Sequence, residues 1–185
     1  MRVKPTPIPG CFELQPEIVQ DRRGCFVKTV HRGEFSAYGL ESDFAEQYYT
    51  ISRPGVIRGL HFQVPPHAHA KLVYCVSGRA LDAVLDVRAG SPTFRQHYLL
   101  ELSAERSNMI YLPRGLAHGF CTLEAPATMI YCVGGVYAPQ HDTGVLWNSA
   151  GISWPLADPI LSERDCGLPR LDAFETPFRY EGVPA

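Results

Sequence analysis

The chain lacks the features that mark several broad classes of protein. Its 185 residues contain no apolar run long enough to predict a membrane-spanning helix. Residues 1–5 lack the apolar segment of a secretory signal. Because 17 Lys and Arg oppose 19 Asp and Glu, the net charge of −2 favours neither a nucleic-acid nor an anionic-membrane partner. We therefore expect a cytoplasmic protein that binds neither nucleic acid nor membrane.

Cysteine pairs with the spacing of a metal cluster are also lacking. None of the six cysteines forms a Cys-x-x-Cys motif, which weakens a zinc-cluster interpretation. Without a secretion signal, we expect these thiols to be reduced and mostly buried rather than bridged. Cys75, Cys121 and Cys132 lie inside apolar runs, which predicts small core residues.

The chain does contain many short strand-like segments separated by Gly- and Pro-containing turns, a pattern typical of an all-β sandwich or barrel. The chain length favours one domain, 1–185. Prolines at four positions in residues 1–20 predict an edge strand or an arm there. Short helices are predicted at 34–38 and 158–164, the second within an irregular C-terminal segment, 138–185. The predicted strands are 25–30, 44–52, 71–77, 80–87, 95–102, 108–112, 117–123 and 128–137.

The segment Gly55–Gln63 combines an arginine and a histidine with two glycines. Side chains alternate along a strand, so Arg58 and His61 would face opposite sides unless a bulge intervenes. Gly59 lies between them and is the residue type that permits such a bulge. The spacing therefore predicts an interrupted strand that directs His61 toward a site.

Residues 61–122 resemble the cupins. Pro113-Arg-Gly115-Leu-Ala-His118 fits the second cupin motif, but the pair His67-Ala-His69 lacks the glutamate that should follow it. A lost carboxylate and the nearby Lys71 both oppose a divalent cation, so we expect a cupin barrel without metal. A metal-dependent oxygenase or isomerase that uses His67, His69 and His118 is the alternative.

Several residues have two interpretations when taken alone. His118 is either a hydrogen-bonded core histidine or a pocket residue. Tyr131 and Tyr137, six residues apart, would share a face of an unbroken strand, as core aromatics or as pocket phenols able to donate a proton. Asp165 alone predicts a solvated surface charge.

Together, these segments resemble one family, the dTDP-4-dehydrorhamnose 3,5-epimerases. The resemblance covers about residues 20–172. The matching segments are Asp21–Phe26, Gly55–Gln63, Lys71–Val73, Ala83–Phe94, Pro113–Phe120, Tyr131, Tyr137–Pro139, Gly144–Asn148, Ile152–Pro155 and Leu161–Asp165.

The resemblance implies a metal-free and cofactor-independent jelly-roll β-barrel, usually a homodimer with an exchanged N-terminal strand. It implies a nucleotide-linked 4-keto-6-deoxy sugar as substrate. The base would be His61, oriented by Asp165, and Tyr131 would donate the proton on the opposite face. Lys71 would stabilise the enolate oxygen. The resemblance also implies substrate contacts from Arg23, Lys28, Gln47, Tyr48, Arg58, His118, Tyr137, Asp142 and Arg164.

Two departures from the family pattern affect the nucleotide side. Lys28 replaces a glutamate, and Glu46–Thr50 replaces the run Gln-x-Asn-x-Ser, with Tyr48 in place of the asparagine. A different nucleotide, a different deoxy sugar or inversion of one carbon only would each be consistent with these changes. A non-catalytic sugar-nucleotide-binding barrel is a further hypothesis, which the intact acid and base residues disfavour.

Overall fold

The structure is a computed structural model that describes residues 1–123 and 125–182. Two sheets and a separate hairpin contain its strands. One sheet consists of β1 (Arg2–Pro5), β2 (Phe12–Gln15), β5 (Glu46–Ser52), β7 (Lys71–Ser77), β10 (Met109–Leu112) and β12 (Ala127–Val133). The other consists of β6 (Ile57–Gln63), β8 (Arg79–Asp86), β9 (His97–Ser103), β11 (Leu116–Thr122) and β13 (Asp142–Gly144). The hairpin comprises β3 (Ile18–Asp21) and β4 (Gly24–Val27).

Strand order shows how the chain builds a barrel. The sheets run β1-β2-β10-β7-β12-β5 and β13-β6-β11-β8-β9, with every pairing between strands antiparallel. Strands β10 and β12 belong to the first sheet and β11, between them in sequence, belongs to the second. The chain therefore crosses from one sheet to the other and back, and the two sheets face each other. The expected jelly-roll barrel is confirmed.

The core between the sheets combines apolar residues of both. Val73, Ile110 and Met129 from the first sheet pack with Val84 and Phe120 from the second. Large side chains of this kind each contribute about 1.5–3 kcal/mol when fully buried. The buried Cys75, Cys121 and Cys132 agree with their predicted core positions, and all six cysteines are free thiols.

The segment after β13 covers the outer face of the second sheet. Val145, Ile152, Leu171 and Phe178 pack against side chains such as Leu85. The predicted irregular segment is therefore anchored to the barrel by apolar contacts. Within the described ranges, no helix has the length and apolarity needed to cross a membrane.

The helices are short and bounded by caps. The first, α1 (Arg32–Ala37), begins after His31, whose Nδ1 accepts a hydrogen bond from the Glu34 N–H, so the first predicted helix is shifted by two residues at its start. The second, α2 (Glu163–Cys166), starts five residues later than predicted. The prediction of 158–164 was wrong because Ile160 is extended and exchanges backbone hydrogen bonds with Gly55 and Ile57.

The N-terminal residues divide between the barrel and the hairpin. Strand β1 pairs with β2, and β2 pairs with β10 of the same chain. The hairpin β3–β4 is a two-stranded sheet of its own in the described part of the chain. Strands β1 and β2 therefore belong to the barrel, and the hairpin is a separate element that follows them.

A bulge in β6 determines where Arg58 and His61 point. His61 lies opposite His118, whereas Arg58 lies opposite Phe120. Two residues of β6, Gly59 and Leu60, therefore lie opposite one residue of β11, Gly119. Gly59 in the bulge has φ = +121°, a conformation that favours glycine. The bulge predicted from the sequence is present, and both side chains line the same cavity.

Alanine at Gly59 should destabilise the protein by at least about 2 kcal/mol, because a positive φ and a steric clash act together. The added Cβ would lie 2.5 Å from Gly119 Cα and 2.8 Å from the His118 carbonyl oxygen. Gly55→Ala is the matched control, since φ is also positive but nothing lies within 4 Å. Urea unfolding of both variants measures the difference. Equal losses of stability would contradict the steric explanation.

Candidate active site

A cavity of about 380 Å³ lies between the two sheets. Successive side chains of a strand point to opposite faces, so every second residue of β5, β11 and β12 faces the cavity. In β6 the bulge lets both Arg58 and His61 face it. The lining residues are Glu46, Tyr48, Thr50, Arg58, His61, Gln63, His69, Lys71, His118, Phe120, Tyr131, Val133, Gly135, Tyr137, Asp142 and Arg164.

His61 and Asp165 form a dyad at the cavity wall. His61 Nε2 lies 2.7 Å from Asp165 Oδ1, and the Gly59 N–H donates to Asp165 Oδ2 at 3.2 Å. A carboxylate only accepts, so Nε2 carries the hydrogen and Nδ1 is the nitrogen able to take a proton. The interpretation of Asp165 as a solvated charge was wrong. Helix α2 places the residue against β6, where it is 3% exposed.

Burial and hydrogen bonding set the ionisation of this dyad. Burial lowers the pKa of His61, and this effect outweighs the bond and negative charge of Asp165, which raise it. Burial alone would raise the pKa of Asp165, but the hydrogen bond and charge of His61, with the Gly59 N–H, lower it overall. The dyad at neutral pH is therefore a neutral imidazole beside a carboxylate, which is the state of a proton acceptor.

Lys71 brings a positive charge into the same cavity. Its Nζ donates to the His61 carbonyl oxygen at 3.1 Å, which fixes the ammonium next to the dyad. Burial lowers the pKa of Lys71 to about 8, while the charge of Asp142 opposes this shift. A cation in a site with little water stabilises a developing anion far better than one at the surface.

Tyr131 is held by two neighbouring rings. The Tyr48 ring stacks on it at 4.9 Å between centroids with planes 14° apart, and the His118 ring meets it edge-on at 5.8 Å. Aromatic pairs of this kind contribute about 0.5–1.5 kcal/mol beyond their area. Burial raises the pKa of Tyr131, and the charges of Asp82 and Tyr48 add to this effect. The phenol therefore keeps its proton over the physiological pH range.

Asp82 is a residue of this site that the sequence analysis missed. Its Oδ2 lies 2.7 Å from His118 Nε2, and both side chains are buried. His118 is thus both a hydrogen-bonded buried histidine and a residue of the cavity wall. The available signal was an acid between Leu81 and Ala83 in a mostly apolar strand.

Thr50 is a further polar residue of the cavity wall, close to Tyr131. The interaction of its side chain with the Tyr131 phenol lowers the pKa of that phenol, against the larger effect of burial. Behind His118, Asp82 Oδ1 is buried without a protein hydrogen-bond partner among the residues that the structure describes.

The remaining predicted residues in the cavity surround these groups. Arg58 Nε donates to Ser52 Oγ at 3.0 Å, and Arg164 forms an ion pair with Asp142 at 2.7 Å. Tyr137 is 58% exposed and follows the end of β12, because the strand stops at Val133 before two glycines. Tyr137 and Tyr131 therefore do not lie on one unbroken strand.

Three predicted substrate contacts lie outside the cavity of this chain. Arg23 is at the tip of the hairpin, where it pairs with Asp21, and Lys28 follows β4. Gln47 points to the other face of β5, where its Nε2 lies 3.2 Å from Cys132 Sγ. Glu46 lines the cavity next to it and accepts a hydrogen bond from the Tyr137 N–H at 3.1 Å. Glu46, Gln63 and His69 were not among the predicted site residues.

The three histidines of the metal-dependent alternative have other contacts. His118 bonds to Asp82, His69 Nδ1 lies 3.2 Å from Gln63 Nε2, and the His67 ring packs against His141. In the part of the chain that the structure describes, no group of three or more His, Cys, Asp or Glu side chains could hold a metal ion.

Comparison with known proteins assigns the family. A sequence model of the family described as dTDP-4-dehydrorhamnose 3,5-epimerase matches residues 5–173. The chain belongs to this family. It is accordingly an isomerase of the epimerase type, and the resemblance inferred from the motifs is confirmed.

The relatives include enzymes named as 3,5-epimerases and an enzyme named as a 3-epimerase. The chain is 38% identical over 168 residues to a dTDP-4-dehydrorhamnose 3,5-epimerase of Shigella flexneri, covering 89% of this chain and 93% of the relative. It is 38% identical over 168 residues to a dTDP-4-dehydrorhamnose 3-epimerase of Streptomyces niveus, covering 89% and 81%.

A solved structure shares the fold over almost the whole chain. A dTDP-6-deoxy-D-glucose-3,5-epimerase of Legionella pneumophila, in complex with dTDP-4-keto-L-rhamnose, superposes with a TM-score of 0.92 at 30% identity. The match covers 98% of this chain and 99% of that one.

Proposed function

We propose that this protein inverts C3, C5 or both carbons of a nucleotide-linked 4-keto-6-deoxy hexose, with a dTDP-linked sugar as the first candidate. The observation that carries the proposal is the convergence of His61, Lys71 and Tyr131 in one cavity, with Asp165 behind the histidine. These groups are a base, a cation and an acid. Their combination fits inversion of a carbon next to a carbonyl.

The reaction begins with proton removal by His61. The C4 carbonyl acidifies the hydrogens on C3 and C5, and His61 Nδ1 takes one of them while Nε2–H stays bonded to Asp165. The C–H electron pair becomes the enolate double bond, and negative charge develops on the C4 oxygen. The carboxylate of Asp165 stabilises the imidazolium that forms.

Lys71 and Tyr131 complete the inversion. The Lys71 ammonium compensates the charge on the enolate oxygen, which is the role of a preorganised cation in enolate chemistry. Tyr131 donates its hydroxyl proton to the carbon from the face opposite His61. The new C–H bond then has the inverted configuration. The His61 imidazolium releases its proton to solvent, and the Tyr131 phenolate regains one from solvent.

The nucleotide end of the substrate would lie toward the exposed side of the cavity. We propose that Tyr137 stacks on the base and that Arg58 contacts diphosphate or sugar oxygens, for which a guanidinium is suited. The ion pair of Arg164 with Asp142 would hold polar groups of the nucleotide sugar. Arg23, Lys28 and Gln47 remain proposed contacts that a single chain leaves outside the cavity.

A homodimer would supply Arg23 and Lys28, two of the groups that one chain leaves out. The hairpin exposes Val19 and Phe26 at 53% and 63%, and the first sheet exposes Tyr49, Ile51 and Val76. Apolar surfaces of this kind mark interaction sites. We propose that the hairpin of each chain packs on its partner and brings Arg23 and Lys28 toward the partner's cavity.

Placing a charge on this surface should separate the dimer. Phe26→Asp and Ile51→Asp are expected to shift the protein to monomers in sedimentation velocity, because burying an unpaired carboxylate is unfavourable. Activity should fall with dimer content. Ile160→Asp is the control, since Ile160 is also an exposed apolar residue but pairs with the start of β6 in the second sheet. A wild-type monomer with full activity would contradict the proposal.

The pH dependence of kcat/KM tests the roles of His61 and Lys71. A base with a lowered pKa stays neutral to lower pH, so the acidic limb should lie below pH 6.5, the ordinary value for histidine. Lys71 loses its charge as pH rises through its pKa of about 8, so the rate should fall above that pH. Tyr131 adds no limb there, because its pKa is raised.

The variant Lys71→Arg tests whether Lys71 causes the basic limb of the pH profile. Arginine keeps its charge at all accessible pH values, so the basic limb near pH 8 should disappear from whatever rate remains. The acidic limb should persist, because His61 is unchanged. An unaltered basic limb would assign it to a group other than Lys71.

Isotope exchange tests the proposed function directly. Wild-type protein in heavy water should incorporate deuterium at C3, C5 or both when incubated with 4-keto-6-deoxy sugars linked to dTDP, UDP or GDP. Proton NMR of the sugar measures the label and the configuration separately. Absence of label from the whole panel, with the protein folded, would overturn the proposal.

A further inference from the structure

The Tyr48 ring lies directly against the ring of Tyr131, the proposed proton donor. The two tyrosines lie opposite each other on the antiparallel strands β5 and β12, so their side chains leave the sheet on the same face. Their rings are nearly parallel, with centroids 4.9 Å apart. Tyr48 therefore covers one face of the Tyr131 ring inside the cavity.

The remaining surroundings of Tyr131 also restrict its movement. Strand β12 is hydrogen-bonded on both sides, to β5 and to β7, so the backbone below the ring is fixed. The His118 ring contacts Tyr131 edge-on, and Asp82 holds His118 in turn. Tyr131 is only 6% exposed. The hydroxyl thus reaches a narrow region of the cavity.

Inversion of two carbons demands more than one position of the acid or of the sugar. C3 and C5 lie on opposite sides of C4, two bonds apart. Proton transfer requires reacting atoms at about 3–3.5 Å, and a misplacement of about 1 Å can cost about 100-fold in rate. A phenol that cannot move therefore serves one carbon well and the other poorly, unless the sugar shifts between the two steps.

We propose that Tyr48 is a positioning residue that determines selectivity: by stacking on Tyr131, it fixes the phenol over one of the two carbons next to C4, and the protein inverts that carbon much faster than the other. This inference rests on the proposed epimerase function. In the selective step, the enolate electron pair forms a new C–H bond with the phenol proton. The O–H electrons remain on the Tyr131 oxygen as phenolate.

Substitutions that remove the ring at position 48 should lower the ratio of the inversion rates at the two carbons. Tyr48→Ala and Tyr48→Asn leave Tyr131 free to move over both carbons, whereas Tyr48→Phe keeps the stack and removes only the hydroxyl. Since Tyr48 is 43% exposed, the smaller residues are compatible with the fold. The loss of a ring should therefore change selectivity without unfolding the barrel.

The experiment compares inversion rates at C3 and C5 by proton NMR in heavy water. The substrate is dTDP-4-keto-6-deoxyglucose or whichever sugar of the panel is labelled fastest. Wild type should invert one carbon at least about tenfold faster than the other, and Tyr48→Phe should keep this ratio. Tyr48→Ala and Tyr48→Asn should lower it about tenfold, whatever their overall rate.

Two outcomes would overturn the inference about Tyr48 alone. Comparable inversion of both carbons by wild type would overturn the inference and leave the epimerase function standing. An unchanged ratio in both Tyr48→Ala and Tyr48→Asn would also overturn it, because the stack would then not control the phenol. Absence of label at both carbons with every sugar would overturn the proposed function and the inference with it.

Discussion

Asparagine in place of His61 is expected to lower deuterium exchange at C3 and C5 by about 1,000-fold while the protein stays folded. An amide has no basic nitrogen, so the first step of the reaction loses its proton acceptor. The fold should survive because the His61 side chain is a quarter exposed and the asparagine amide can donate toward Asp165. Heavy-water NMR measures the rate, and circular dichroism with urea unfolding measures the fold.

His97→Asn is the matched control for this variant. His97 lies on β9, outside the cavity, so the same change of side chain should leave the exchange rate near that of wild type. Exchange by His61→Asn within about tenfold of wild type would assign the base to another residue. A loss of fold in His61→Asn alone would instead make the dyad a structural pair.

Asp165→Asn should have a smaller effect than His61→Asn, since the base itself remains. The amide can present its Nδ2–H to the imidazole, which favours the tautomer with hydrogen on Nδ1 and removes the lone pair that takes the proton. The loss of the carboxylate also removes an interaction that raises the pKa of His61. The acidic limb of the pH profile should therefore move further below its wild-type position.

Local features of this fold were predictable because neighbouring residues carry them. The bulge in β6 follows from a histidine and an arginine three residues apart with Gly59 between them, and it is found at that glycine. The strand pattern gave the all-β class, since turn residues separate apolar segments along the chain. Element ends were less predictable. The extended conformation of Ile160 depends on its pairing with β6, which displaced the second helix.

Contacts between distant residues could not be predicted from spacing. His61 and Asp165 are separated by 104 positions, and only the family resemblance linked them. Asp82 was not predicted as a site residue because its partner His118 is 36 residues away and belongs to another strand. The stack of Tyr48 on Tyr131 depends on the register between β5 and β12, which composition does not determine. These tertiary contacts decide the chemistry.

Phenylalanine in place of Tyr131 should separate proton removal from inversion. The variant keeps the ring, the stack with Tyr48 and the contact with His118, so the cavity wall is preserved. It removes the hydroxyl that donates to the carbon, and general acid catalysis contributes about 100- to 10,000-fold. We expect inversion to fall by about 1,000-fold, while deuterium exchange with retained configuration falls much less.

The retained exchange has a physical basis in the two faces of the sugar. His61 can remove a proton and return a deuteron from solvent to the same face, with Lys71 still holding the enolate. Tyr98→Phe is the control, because Tyr98 packs against the core from β9 and does not line the cavity. If exchange and inversion fell together in Tyr131→Phe, the phenol would act before the enolate forms. If neither fell, the proton for inversion would come from another group or from water.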